Sequence, residues 1–397
     1  MLITQYLDEP CPRCGGTGKY GNVNVHHNVL RRGCNHCRQW THFYLPDVNK
    51  KVIYLDQFFL SHAFRAQEKP FVEAAHRIAD MAARQLIVCP YSSVHTSETH
   101  LWRHEQQQDL FTFIKQTARG QKFNEDFEIK RIQLSRAFTA FRAEGDITQP
   151  IEKNDAFRED VNTWDDYFYI DMRPILGDIE AMRQGKLNAI EALVNLFPDW
   201  AASTTSFAED MEIEAKGYGQ SLMKQYFQML TALGAGDLIA YLNAPTDAMY
   251  VEYLLHYDKD TLQSDAQLAR AAKFLVSPHF MMIPHLRISC GLFAMLRKLV
   301  KEGAYKNPEK ARKKLAGLFY DSNCISIFGP YCDAIFVDRI MHQWCEAPQA
   351  RVLEPYGTAI FSVAGWDAFH SYLDDIEENY TEDIHRAVDI VYPGLYT

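Results

Sequence analysis

The 397-residue chain has no apolar run long enough to cross a membrane. Its longest, Ile288 to Leu296, is far short of the roughly 18 residues a span requires. The opening MLITQYLDEP lacks the basic start and apolar stretch of a secretion signal. No GxGxxG, P-loop or nucleophile elbow is present, so dinucleotide, ATP and esterase chemistry have no anchor. No repeat or low-complexity tract appears. Bases are scarce: 41 Lys and Arg stand against 51 Asp and Glu, a net charge of −10. Taken as a total, that argues against general nucleic-acid binding, because phosphate contacts need cations. What is plentiful is large apolar surface. With 24 Phe, 21 Tyr and 6 Trp the chain cannot remain disordered. The expectation is a globular cytoplasmic protein of two or three domains, with no membrane partner.

The scarce positive charge is unevenly spread. Residues 11–40 hold Arg13, Lys19, Arg31, Arg32 and Arg38 and no acid, giving +5. Residues 297–314 hold eight bases against Glu302 and Glu309, giving +6. Subtracting both from −10 leaves −21 for the remainder. Any contact with nucleic acid is therefore expected at two places: Arg31 and Arg32 in the first, and Arg312, Lys313 and Lys314 in the second.

Four of the nine cysteines fall into two CxxC pairs, Cys11-Pro-Arg-Cys14 and Cys34-Asn-His-Cys37. Two such turns each direct two sulfurs at one ion, which suits tetrahedral Zn²⁺, and Gly15-Gly16 frees the backbone to donate to thiolates. Residues 1–48 thus read as a small zinc ribbon whose metal staples a segment too small for its own core. His26 and His27 are not needed as ligands, since four sulfurs complete the shell. The other five cysteines lie in apolar surroundings and read as core fillers.

Strand signals follow at Lys51–Leu55 and Leu86–Pro90, then at Ala334–Val337 and Thr358–Val363; an amphipathic helix begins at Trp366. Between about 99 and 315 the spacing is almost wholly helical. This order predicts an α/β domain, 49–100 and 315–397, interrupted by a helical insertion over 101–314. Asp56 follows the first strand and Asp338 the third. Glu98 lies on the helix after the second, and Asp321 opens a segment before the third. Such placement brings carboxylates to the carboxyl edge of a parallel sheet, where open α/β folds build their sites. Carboxylates that converge need cations; Mg²⁺ or Mn²⁺ prefers oxygen ligands and supports phosphodiester cleavage. Taken singly, each acid has a plainer role: Asp56 and Asp321 as turn formers or caps, Glu98 at a helix dipole, Asp338 paired to Arg339.

VIYLDQFFLS, IVCPYSSVHTSETHLW and DSNCISIFGPYCDAIFVDRIM together resemble the PIN-like nucleases. The resemblance spans about 51–100 and 315–380. It implies a PIN-like parallel sheet with flanking helices, and a metal-dependent endoribonuclease whose Asp56, Glu98, Asp321 and Asp338 hold Mg²⁺ or Mn²⁺. Asp333 is an alternative third acid. It further implies RNA as substrate and, by analogy, a toxin or phage-defence role, while the insertion is open to a protein partner or a second subunit. Gln57 departs from the pattern, standing where many members carry a small hydroxyl or Asn. Two alternatives stand beside this one: a non-catalytic nucleic-acid-binding scaffold, and a structure-specific DNA nuclease using the same metal chemistry.

Overall fold

A computed structural model describes residues 5–100, 104–148, 150–164, 179–258 and 264–393. The N-terminal part is a four-stranded antiparallel sheet of β1 (Gln5–Tyr6), β2 (Tyr20–His26), β3 (Val29–Cys34) and β4 (Trp40–Tyr44), in that order. Its apolar residues Val25 and Leu30 are too few for a separate core. They pack instead with Leu45, Val48 and Trp164 against the C-terminal helix described below.

Next comes a parallel sheet of β5 (Lys51–Leu55), β6 (Ile87–Val88), β7 (Ala334–Phe336) and β8 (Ala359–Phe361), ordered β6-β5-β7-β8. A parallel sheet must be covered on both faces, so its strands are apolar without alternation. In β5, Ile53 and Leu55 face α1 (Gln57–Ser61) and α2 (Lys69–Ala83) through Phe59, Phe71 and Ile78. Val52 and Tyr54 face the other way.

The helices between the two halves of this sheet do more than extend from it. Beyond α3 (Ser93–His100), the ones that matter here are α4 (Ile179–Asn195), α5 (Phe207–Gly234), α6 (Pro284–Lys301) and α7 (Pro308–Lys314). Ile288, Leu292, Met295 and Leu296 of α6 share one core with Val52, Tyr54, Ile335 and Val337. A helix from within 101–314 therefore covers the second face of the sheet. Short α8 (Leu318–Asn323) leads through a wide turn of π-helix, Cys324–Phe328, back to β7.

The chain ends with α9 (Arg339–Glu346), α10 (Trp366–Glu378) and α11 (Glu382–Val391). Phe369 and Leu373 of α10 lie on the α2 side of the sheet. Two acids of α10 hold it in place. Asp374 takes a 2.5 Å ion pair from Arg77, and Glu377 pairs with both Arg77 and Arg84, clamping α10 to α2. The ribbon docks on α11, where Asn22 Nδ2 donates to the Ile390 and Val391 carbonyls at 2.8 and 3.0 Å.

Candidate active site

The end of β5 is held before Asp56 begins. His95 is 1% exposed, its Nδ1 accepts from the Ser92 N–H at 3.1 Å, and its Nε2 donates to the Leu55 carbonyl at 2.9 Å. Burial holds its pKa down to about 4, so the ring is neutral. Its role is therefore structural, holding the end of β5. Below His95 is a buried network: the Tyr54 hydroxyl lies 2.9 Å from Ser92 Oγ and 3.1 Å from Cys324 Sγ, and its ring stacks on His95 at 4.9 Å. It ties β5, the loop after β6 and the π-turn after α8 into one rigid floor.

Above that floor stand the predicted acids. Asp56 is 3% exposed and caps α1, Oδ1 accepting from the Gln57 N–H at 2.8 Å. Its own N–H donates to the Phe336 carbonyl at 3.0 Å, so the ends of β5 and β7 are laced together. Asp338 caps α9, accepting from the Met341 N–H at 2.7 Å. Both capping roles are real, and neither uses up a carboxylate. Glu98 is past the first turn of α3, which removes the helix-dipole explanation. Asp321 is no cap: it lies inside α8, whose N-cap is Gly317. A Cβ on Gly317 would stand 2.9 Å from Asp321 Oδ2, so that glycine makes room for the carboxyl.

Three of these acids are shifted upward. Burial, then the charges of Glu98 and Asp338, push Asp56 up to about 8. Burial lifts Glu98 to about 7, opposed by the Lys186 charge. Asp321 is raised by burial and by Asp56, Asp338 and Glu98 together. Asp56 and Asp321, raised by burial and by neighbouring carboxylates, and Glu98, raised by burial, mark a site short of positive charge. Their oxygens nonetheless stand apart: among the described residues only the four cysteines bring three or more ligand atoms within 4.8 Å of one another.

Asp333 does not belong to this group. It precedes β7 at the opposite, amino edge of the sheet, where Oδ2 accepts from the Val52 N–H at 2.8 Å. Lys51 at 3.1 Å and Lys153 also pair with it, which holds its carboxyl below the usual range despite burial. Its place in the candidate set is therefore withdrawn.

Further residues stand beside these acids. Lys186 of α4 stands 4.5 Å over the ring of Tyr320, next to Asp321. Gln57 Nε2 donates to Thr99 Oγ1 at 3.3 Å, linking the neighbours of Asp56 and Glu98, and its buried Oε1 has no partner. The buried Ser322 hydroxyl, beside Asp321, is also unpartnered.

The basic candidates divide. Arg32 is 7% exposed and donates to Asn22 Oδ1 at 2.7 Å and to the Ile390 carbonyl at 3.2 Å, so it is a docking strut and is struck from the nucleic-acid set. Arg31 lies 3.7 Å over the half-exposed Trp40 ring, whose seat is kept open by Gly33. Arg312 pairs with Glu191 of α4 at 2.5 Å; Lys313 and Lys314 are exposed. Much of the 297–314 charge serves the interior: Arg297 and Lys301 both pair with buried Asp210 on α5.

In the ribbon, Cys11 and Cys37 sulfurs lie 3.5 Å apart and those of Cys14 and Cys34 3.8 Å apart. Gly15 and Arg38, each following the second cysteine of a pair, both adopt left-handed backbone, so the two turns match. Desolvation raises the Cys11 thiol, but N–H groups of Cys14 and Arg13 outweigh it and bring it to about 6. The Cys37 N–H chiefly lowers Cys34. Burial raises the Cys37 thiol to about 11, against the lowering of Cys11 and Cys34; the four-sulfur cluster can hold a metal such as zinc. A cavity of about 460 Å³ lies elsewhere, between His26–His27 and Lys122–Glu125. No family model, curated protein or solved structure matches the chain.

Proposed function

We propose that this chain is a metal-dependent endoribonuclease of PIN-like type, cleaving RNA at Asp56, Glu98, Asp321 and Asp338. The observation that carries this is the raising of Asp56 and Asp321 by burial and neighbouring acids, with Glu98 raised by burial beside them, at the carboxyl edge of the parallel sheet. Buried acids at this density are unstable as anions unless a cation joins them. Mg²⁺ or Mn²⁺ fits the donor set, since it is all oxygen. The spacing, too wide for tight direct chelation, suits an ion that keeps several waters. The unpartnered Gln57 Oε1 and Ser322 hydroxyl are available to such waters.

Bound there, the ion would supply an ionised water and charge stabilisation of the leaving oxygen. The protein's own part is positional. Asp56 and Asp338 are fixed by their caps, Asp321 has its space from Gly317, and His95 locks the strand end. Four thiolates of the ribbon would hold Zn²⁺ as a structural ion. RNA is chosen over DNA on the resemblance, so both are arms of the test.

Labelled single-stranded RNA, single-stranded DNA and duplex DNA are incubated with the protein in Mn²⁺, alongside Asp56→Asn and Asp338→Asn. The expected outcome is RNA cleavage in wild type that falls at least about 100-fold in each variant. Cleavage of DNA alone would move the assignment to a DNA nuclease. No cleavage by wild type, or none lost in the variants, would leave a non-catalytic binding protein.

A further inference from the structure

The helix α4 lies far from the acids in sequence, yet it brings a cation to them. Lys186 Nζ sits 4.5 Å over the Tyr320 ring, one residue before Asp321, and its charge reaches both Glu98 and Asp321. Among the described residues it has no ion-pair partner. Several cations nearby are paired: Arg312 takes Glu191, Arg297 takes Glu214 at 2.6 Å, and Lys298 takes Glu302 at 2.7 Å. A lysine on an aromatic face beside an acid cluster keeps its ammonium directed and only partly hydrated. The Arg312–Glu191 pair joins α7 to α4, so the exposed Lys313 and Lys314 belong to the same joined pair of helices.

We propose that Lys186 forms an anion subsite beside the acid cluster, taking a non-bridging oxygen of an RNA phosphodiester. The helical segment carrying α4 is then the substrate-binding wall of the site. This rests on the nuclease assignment for its ligand but is tested apart from it. An acid cluster repels the backbone it is to cleave, and one directed cation at its rim reverses that locally. A lysine acts here as a point charge with three donors, which suits a phosphate oxygen reached from one side.

The test uses full-length Asp56→Asn protein, which binds without cleaving, and fluorescein-labelled single-stranded RNA read by anisotropy across a salt series in Mn²⁺. Adding Lys186→Ala is expected to weaken binding roughly tenfold and to reduce the salt slope by about 0.7, the share of one single-strand phosphate contact. Lys186→Arg is expected to restore most of both. In the Asp56-intact protein, Lys186→Ala should lower kcat/KM while the Mn²⁺ concentration for half activity stays within about twofold. Unchanged RNA affinity and slope, with tighter Mn²⁺ binding alone, would overturn the subsite and make Lys186 a counter-charge for Glu98 and Asp321. Should wild type cleave nothing while the Lys186-dependent slope persists, the subsite stands and the nuclease assignment falls.

Discussion

Asp56 carries two jobs that pull against each other. As N-cap it needs only an oxygen near the Gln57 N–H, which Asn supplies equally well. As a buried anion beside Glu98 and Asp338 it is strained. Its folded pKa of about 8 lies above its ordinary 3.8, so the folded state holds a proton that the unfolded chain has lost. Stability from that proton is present at low pH and drains away as pH rises from about 4 toward 8. Removing the charge while keeping the cap should therefore help the metal-free protein. Asp56→Asn, freed of Mg²⁺ and Mn²⁺ but retaining the ribbon ion, is expected to be about 2 kcal/mol more stable than wild type at pH 8, with little difference at pH 5. Urea midpoints at the two pH values check this. A variant less stable than wild type at pH 8 would mean that Asp56 is satisfied without a cation.

At the scale of elements, the two CxxC turns and the strand that follows them are separate pieces of engineering. Apart from Val25, Leu30, Leu45 and Val48, shared with α11, the ribbon's core is Tyr20 among its cysteines, so its shape depends on the four sulfurs. Replacing Cys34 with Ser should reduce bound zinc from about one ion per chain to nearly none, read by elemental analysis. Arg32 and Asn22 would then lose their docking on Ile390, while the parallel sheet keeps its fold. Full zinc retention would contradict the four-sulfur site. Cysteine spacing was legible because each CxxC is a local motif with one good explanation. The strands at Lys51–Leu55 and Ala334–Phe336 were legible for a similar reason, being short apolar runs that end in Asp. Asp333 shows the limit: in sequence it sits as near β7 as Asp338 does, and only the strand direction separates a top-edge acid from a bottom-edge one held by Lys51 and Lys153. Arg32 shows another, because its burial depends on a helix more than 350 residues away.

For the whole molecule, the charge pattern sharpens into an interior and an exterior account. Much of the basic stretch 297–314 neutralises Asp210, Glu214 and Glu191, leaving Lys313 and Lys314 exposed, while Lys186 of α4 stands by the acid edge. Helical spacing could announce α4 and α6, but not that α6 closes one face of the sheet or that α4 delivers a lysine; those are long-range packing results with no local signature. What the described residues bring together is an acid edge with too little positive charge, a floor of Tyr54, Ser92, His95 and Cys324, and the directed cation of Lys186. The central claim is that this edge binds a divalent ion. Titration of Mn²⁺ into the zinc-loaded protein, followed by electron paramagnetic resonance of the free ion, tests it most directly. Saturable Mn²⁺ binding in wild type, lost or weakened at least tenfold in Asp56→Asn and Asp338→Asn and unaffected by Asp333→Asn, is the predicted result. No saturable binding, or binding unchanged in Asp56→Asn and Asp338→Asn, would contradict it.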